Sequence, residues 1–124
     1  MGKRILVIED TEDNRQIIRD LLTSFDYQLI EAVDGAEGVR MAQAHHPDLI
    51  LMDIQLPVMD GYEATRRIRA IPELARVPII AVTSYALSGD EAKTREAGCE
   101  GYVAKPFSPR QLLAKVREFL PDAA

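Results

Sequence analysis

The chain lacks the features that mark several classes of protein. Its 124 residues contain a single cysteine, Cys99, so no internal disulfide can form, and no cysteine and histidine cluster has the spacing of a zinc site. It has no tryptophan, and 15 Lys and Arg stand against 20 Asp and Glu, a formal net charge of −5. An acidic chain without a basic run lacks the charge pattern of a nucleic-acid-binding protein. We therefore expect a cytoplasmic protein that does not bind nucleic acid directly.

Long apolar runs are missing as well. Runs such as 5–8 and 49–52 are far shorter than the roughly 20 residues that a membrane-spanning helix needs. The basic start of the chain meets the acidic pair Glu9 and Asp10 too soon for a signal peptide, and Leu6 stands where a myristoylation signal has Ser or Thr. The length and an apolar content of 47% instead predict one globular domain over residues 1–124, with no membrane attachment.

Short runs rich in β-branched residues alternate five times with longer amphipathic stretches. The runs predict strands at 5–8, 28–32, 49–52, 79–82 and 102–104. Helices are predicted after each strand: one after the acidic pair, then 35–44, 62–70, one within 88–97, and one beginning at Ser108 and Pro109. In the first helix a core-facing side is predicted for Ile17, Ile18, Leu21, Leu22 and Phe25. This order predicts an α/β fold, a three-layer α/β/α sandwich with a doubly wound, five-stranded parallel sheet.

Polar residues stand where these strands end. Glu9 and Asp10 follow the first strand, Asp53 the third, Thr83 the fourth, and Lys105 the fifth. Function in open parallel sheets gathers beyond the carboxyl ends of the strands, so these side chains are expected to converge on one edge.

The chemistry of this set points to a cation and a phosphate. Three close carboxylates repel one another and favour a divalent ion among them, and oxygen ligands suit Mg²⁺. Lys105 and Thr83 could hold phosphoryl oxygens. Asp53, at the end of the central strand, is the best placed nucleophile, and its product would be an aspartyl phosphate.

The chain resembles a receiver domain of bacterial two-component response regulators over nearly its whole length. Four motifs carry the resemblance: ILVIED at 5–10, DLILMDIQLPVMDG at 48–61, PIIAVT at 78–83 and GYVAKPF at 101–107. It implies a flavodoxin-like (βα)5 fold with strand order 2-1-3-4-5. It also implies a phosphorylation-activated signalling switch in a two-component or phosphorelay system, rather than an enzyme. Such a switch promotes its own phosphorylation and slow dephosphorylation.

The resemblance assigns roles to single residues. Asp53 would take a phosphoryl group from a phosphohistidine on a sensor histidine kinase or histidine phosphotransfer protein. Magnesium, with Mn²⁺ as a possible substitute, would be bound by Asp10, Asp53 and the backbone carbonyl of Gln55, with Glu9 helping through water. Lys105 would contact the phosphate, and the Lys105–Pro106 bond is expected to be cis.

The resemblance also implies how the signal leaves the domain. Thr83 would move toward the phosphate and Tyr102 would turn inward, which changes the surface of helix 4, strand 5 and helix 5 for a downstream protein target. The domain would be a monomer or a weak phosphorylation-dependent dimer.

Three positions qualify the family pattern. Glu9 replaces a frequent Asp, and its longer arm favours a water-mediated metal contact over a direct one. Gln55 and Tyr85 flank the phosphoryl position and are candidates for tuning the rate of phosphate hydrolysis.

Other functions stay open at this point. The domain could be the receiver of a hybrid histidine kinase instead of a stand-alone regulator. It could also be a phosphatase of the haloacid dehalogenase type, although Gln55 stands where that class has its general acid. A flavin or nucleotide carrier is disfavoured, because the loop after the first strand is acidic and has no glycine-rich phosphate cradle.

Overall fold

The computed structural model describes residues 2–83 and 90–120. Within these residues five strands and five α-helices alternate, with one 3-10 turn at Pro72–Leu74. The strands are β1 (Arg4–Ile8), β2 (Gln28–Ala32), β3 (Leu49–Asp53), β4 (Ile79–Thr83) and β5 (Gly101–Ala104). The helices are α1 (Glu12–Thr23), α2 (Gly35–His45), α3 (Gly61–Arg69), α4 (Asp90–Ala97) and α5 (Pro109–Phe119).

The strands form one parallel sheet in the order β2-β1-β3-β4-β5, which confirms the predicted fold and topology. Every residue of β3 and β4 is buried. Strands that are covered on both faces consist of continuous apolar residues, and such runs predict these two strands from the sequence.

Helices cover both faces of the sheet and complete the three layers. Alternate residues of each strand point to opposite faces, so the sheet contributes to two separate cores. In the first core, strand residues such as Leu6, Ile50 and Met52 pack with residues of α2 and α3, including Ala42, Ala64 and Ile68. In the second, Val7, Leu49 and Leu51 pack with residues of α1 and α5, including Ile18, Leu22, Leu112 and Val116.

The predicted core face of α1 is partly wrong. Ile18 and Leu22 are buried, but the side chains of Ile17 and Phe25 are 53% and 43% exposed. Helix α1 ends at Thr23, so Phe25 leaves the helical repeat, and its ring packs 5.0 Å from the Arg117 guanidinium carbon. Ile17 lies at the edge of the helix face and lines a groove together with Pro106 and Phe107.

Arg69 joins the segments that precede β4 and β5. Its Nε donates to the carbonyl of Gly98 at 2.9 Å, and one terminal nitrogen donates to the carbonyl of Val77 at 2.6 Å. Its other terminal nitrogen pairs with Glu100, which also accepts the backbone N–H of Ile79 at 3.1 Å. This network fixes the amino-terminal edge of the sheet, opposite the edge to which the predicted site residues belong.

Local signals set the ends of several helices. Ser108 and Gln111 form a capping box at α5 with Pro109 in the first turn, so the predicted start of that helix is confirmed. No helix within residues 2–83 and 90–120 has both the length and the apolar character needed to cross a membrane.

Candidate functional site

Asp53 is the centre of the predicted site. It is the last residue of β3, and its side chain is 3% exposed. The backbone N–H of Gln55 donates to Oδ1 at 3.0 Å, and Lys105 Nζ donates to Oδ2 at 3.2 Å. The carboxylate is therefore held from two sides by donors on two different loops.

Lys105 is shared between two acids. Its Nζ also donates to Glu9 Oε1 at 3.2 Å, and the Lys105 side chain is 19% exposed. The Lys105–Pro106 peptide bond is cis, as expected. The backbone N–H of Lys105 donates to the carbonyl of Thr83 at 2.8 Å, which ties the loop after β5 to the end of β4.

Glu9 is held by groups that the sequence analysis did not identify. Its buried carboxylate accepts the backbone N–H of Thr11 at 3.2 Å and Asn14 Nδ2 at 3.3 Å. Its backbone carbonyl accepts a terminal nitrogen of Arg15 at 2.8 Å. Asn14 and Arg15 lie in the first turns of α1, and only the orientation of that helix brings them back to Glu9.

The three acids fit a hard divalent cation. One carboxylate oxygen each of Glu9, Asp10 and Asp53 lies within 4.8 Å of the other two. Glu9 and Asp53 are buried, whereas Asp10 is exposed and leaves the cluster open on one side. An all-oxygen set that is open to water matches Mg²⁺, which is bound by few carboxylates and keeps several waters.

The electrostatics of the cluster are uneven. Burial, together with the charge of Glu9, raises the pKa of Asp53 to about 6. Burial also disfavours the charged form of Glu9, but the Lys105 charge and the bonds from Thr11 and Asn14 outweigh it and hold its pKa below the usual value. For Lys105, the charges of Asp53 and Glu9 overcome burial and raise its pKa. Without a bound cation, the cluster therefore disfavours the ionised form of Asp53 more than that of Glu9.

Thr83 lies on β4, which neighbours β3, and Tyr102 lies on β5, which neighbours β4. Thr83 is the last residue of β4 and is fully buried, and Tyr102 is a half-buried residue of β5. In the sheet register Thr83 pairs with Ala104, directly before Lys105. Tyr85, the second candidate for tuning hydrolysis, lies outside the described residues, whereas Gln55 is exposed next to Asp53.

A groove runs beside the site. It has a volume of about 410 Å³, and Glu9, Asn14 and Lys105 supply its polar lining. Ile17, Pro106 and Phe107 supply its apolar wall. The exposed isoleucine of α1 therefore borders the approach to the acidic cluster.

The chain is similar to known signalling proteins. Residues 5–117 match the family described as response regulator receiver domain. The polar-differentiation response regulator DivK of Brucella ovis is 42% identical over 123 residues, which are 99% of this chain and 100% of that protein.

Solved structures agree in fold. The receiver domain of a sensor histidine kinase from Pseudomonas aeruginosa, with a magnesium ion coordinated in its active-site cleft, superposes with a TM-score of 0.91 at 42% identity. The match covers 98% of this chain and 100% of that one. The chemotaxis protein CheY4 of Vibrio cholerae gives a TM-score of 0.92 at 28% identity and covers 97% of this chain and 100% of that one. Sequence, fold and acidic cluster lead to one conclusion: this chain belongs to the family of response regulator receiver domains.

Proposed function

We propose that the domain is a signalling switch in which Asp53 accepts a phosphoryl group from a phosphohistidine donor. The observation that carries the proposal is the position of Asp53: a buried carboxylate at the end of the central strand, 3.2 Å from Lys105 and grouped with Glu9 and Asp10. A nucleophile, a cation and a cluster of metal-binding oxygens are the parts that phosphoryl transfer needs.

In the transfer, an oxygen of Asp53 forms a bond to phosphorus while the P–N bond of the donor breaks. The electron pair of that bond returns to the imidazole nitrogen. Lys105 neutralises charge on the phosphoryl oxygens, and the Thr83 hydroxyl donates a hydrogen bond to one of them. The hydrogen bonds from the Gln55 N–H to Oδ1 and from Lys105 to Oδ2 hold the Asp53 carboxylate in place for this attack.

Asp10, Asp53 and the Gln55 carbonyl would hold Mg²⁺, with Glu9 acting through water, and Mn²⁺ could substitute. The ion supplies positive charge to the transferred group when bound. The hydrogen bonds to Glu9 from Lys105, Thr11 and Asn14 occupy its carboxylate, which supports a water-mediated contact.

The output surface is proposed on α4, β5 and α5. Tyr102 is half-buried there and borders a surface groove with residues of α5, so a turn of its ring would change that groove. The donor is a sensor histidine kinase or a histidine phosphotransfer protein, and the target is another protein. We propose a cytoplasmic monomer or weak phosphorylation-dependent dimer without direct contacts to nucleic acid or membrane.

The domain would not turn over substrate as an enzyme does. Gln55 stands where aspartyl-phosphate phosphatases carry a second acid, so hydrolysis of the Asp53 phosphate would rely on water alone and would be slow. A DivK protein and the receiver of a kinase are both 42% identical to this chain, and the proposal applies to the domain in either setting.

Intact-protein mass spectrometry after incubation with acetyl phosphate tests the acceptor. We expect one Mg²⁺-dependent phosphoryl addition in the wild type and in Asp20→Asn, a control at an exposed acid of α1, and none in Asp53→Asn. Addition to Asp53→Asn would contradict the assignment. A wild type that accepts no phosphate from acetyl phosphate or from a phosphorylated histidine donor would contradict the proposed function.

The switch is tested separately with Thr83→Val, which keeps the buried shape and removes the hydroxyl. We expect this variant to accept phosphate on Asp53 but to lose most of the phosphorylation-dependent changes in the amide NMR shifts of β5 and α5. Tyr102→Ala should likewise accept phosphate while its α5 shifts respond less. Full responses in both variants would exclude the proposed roles of Thr83 and Tyr102.

A further inference from the structure

Arg15 reaches from α1 to the backbone that carries the acidic pair. Its side chain is only 12% exposed, and a terminal nitrogen donates to the carbonyl oxygen of Glu9 at 2.8 Å. That carbonyl belongs to the peptide group that joins Glu9 to Asp10. The contact therefore fixes the orientation of the peptide plane that leads into Asp10.

The backbone of Glu9 is held on both sides of its Cα atom. The backbone N–H of Glu9 donates to the carbonyl of Ala32 at 3.0 Å, which continues the ladder between β1 and β2 by one residue. With Arg15 on the carbonyl, both backbone polar groups of Glu9 have fixed partners. Asp10 is exposed, so its position relative to Glu9 and Asp53 depends on this backbone more than on packing.

Arg15 is itself held in place by two acids. It pairs with Glu12 on its own helix, and its Nε lies 3.3 Å from Glu31 Oε1 on β2. Glu31 accepts two further hydrogen bonds from Arg19, at 2.7 and 2.8 Å. A guanidinium that is fixed on three sides can act as a rigid support for the carbonyl that it contacts.

We propose that Arg15 is a positioning residue for divalent-cation binding, which acts through the Glu9–Asp10 peptide group. The inference rests on the proposed function, because it assumes that the acidic cluster binds Mg²⁺. Supports of this kind around metal ligands commonly change metal affinity by a factor of about 10 or more.

A positioning role and a purely electrostatic role predict opposite effects of removing Arg15 on the affinity for the cation. Arg15 carries a positive charge near the cluster, so its removal alone would strengthen cation binding. Loss of positioning would weaken it. Arg19 is a matched control, since it belongs to the same network and directs its guanidinium to Glu31 and Glu12.

The experiment is isothermal titration of Mg²⁺ and Mn²⁺ into the metal-free wild type, Arg15→Met, Arg15→Lys and Arg19→Met. We expect the dissociation constant to rise about tenfold in Arg15→Met. It should stay within about twofold, or fall, in Arg19→Met. Arg15→Lys keeps the charge but not the planar guanidinium that contacts the Glu9 carbonyl, Glu12 and Glu31 together, so it should bind the ions more weakly than the wild type and more tightly than Arg15→Met. Unfolding midpoints of the metal-free proteins serve as the control for general destabilisation.

Each outcome is informative. Unchanged or tighter binding by Arg15→Met overturns the positioning role and leaves the proposed function standing. Equal weakening in both methionine variants also overturns it, because the effect would then belong to the network as a whole. If Arg15→Met does not fold, Arg15→Lys decides: weaker binding than the wild type with a native unfolding midpoint supports positioning, and wild-type affinity overturns it. A wild type that binds neither ion removes the metal site from the proposed function.

Discussion

Replacing Asp53 by asparagine should stabilise the metal-free protein at neutral pH. Burial, with the nearby charge of Glu9, raises the pKa of Asp53 from an ordinary 3.8 to about 6. The ionised form is thus disfavoured in the folded state even though Lys105 contacts it. Asparagine has the same shape, keeps an oxygen that can accept the Gln55 N–H, and carries no charge.

The magnitude follows from the pKa difference. Each pKa unit corresponds to about 1.4 kcal/mol, so a change from 3.8 to about 6 corresponds to about 3 kcal/mol. Because the folded state binds this proton more tightly than the unfolded chain does, the stability contributed by Asp53 falls as the pH rises from about 4 to about 6 and stays low above that range. We therefore expect Asp53→Asn to raise the free energy of unfolding by about 2 to 3 kcal/mol at pH 7.

Urea denaturation with EDTA at pH 7 and at pH 4 measures this difference. The difference should shrink to below about 1 kcal/mol at pH 4, where Asp53 is protonated in the folded state and about half protonated in the unfolded chain, because pH 4 lies close to the ordinary pKa of 3.8 and below the folded-state pKa of about 6. Asp20→Asn, at an exposed site, should change stability by less than about 0.5 kcal/mol. Added Mg²⁺ at ten times its dissociation constant should stabilise the wild type by about 1.4 kcal/mol and narrow the gap. A variant that is less stable than the wild type at pH 7, or a stability difference that does not depend on pH, would refute the account in which burial and the Glu9 charge disfavour the ionised form of Asp53.

Three further changes test the loops and caps around the site. Gly61→Ala places a Cβ 2.5 Å from the Asp53 carbonyl oxygen and 2.6 Å from Ile54 Cα. It should lower the free energy of unfolding, measured by urea denaturation, by about 2 kcal/mol or more. Wild-type stability would show that the backbone moves to make room. Val58 has a φ of 69° and is 83% exposed, so Val58→Gly should raise the unfolding free energy by about 1 kcal/mol, and a loss would mean that the turn is not strained. Ser108→Ala removes the oxygen that accepts the Gln111 N–H and should lower the free energy of unfolding by about 1 kcal/mol. Its affinity for Mg²⁺, measured by titration, should equal that of the wild type, and a changed affinity would show that α5 affects the cluster.

The sequence predicted the sheet well because its central strands are buried on both faces. Residues 49–52 and 79–82 are unbroken apolar runs, and the structure extends each by one residue, to Asp53 and Thr83. Because parallel strands end at one edge of a sheet, the sequence also predicts that Glu9, Asp10, Asp53 and Lys105 lie close together, as they do in the structure. The 3-10 turn at Pro72–Leu74 was missed, because three residues give no periodic signal.

The supports of the site were harder to predict. Asn14 and Arg15 lie five and six residues after Glu9, and their contacts depend on how α1 turns back over the end of β1. An Asn-Arg pair after an acidic doublet has no pattern that distinguishes it from an ordinary exposed helix face. Ile17 was misassigned for a related reason: helical spacing identifies an apolar side but not the edge at which that side meets a groove.

The Arg69 network gives the two ends of the sheet different mechanical roles. Gly98, which follows α4 directly, has its carbonyl fixed by Arg69, and Glu100 is bound both by Arg69 and by the start of β4. The carboxyl-terminal end of α4 is thus anchored at the edge of the sheet farthest from Asp53. A displacement of α4 that starts at the phosphoryl-accepting edge would pivot about this anchor, so a small movement beside Thr83 would become a rotation of the helix rather than a translation.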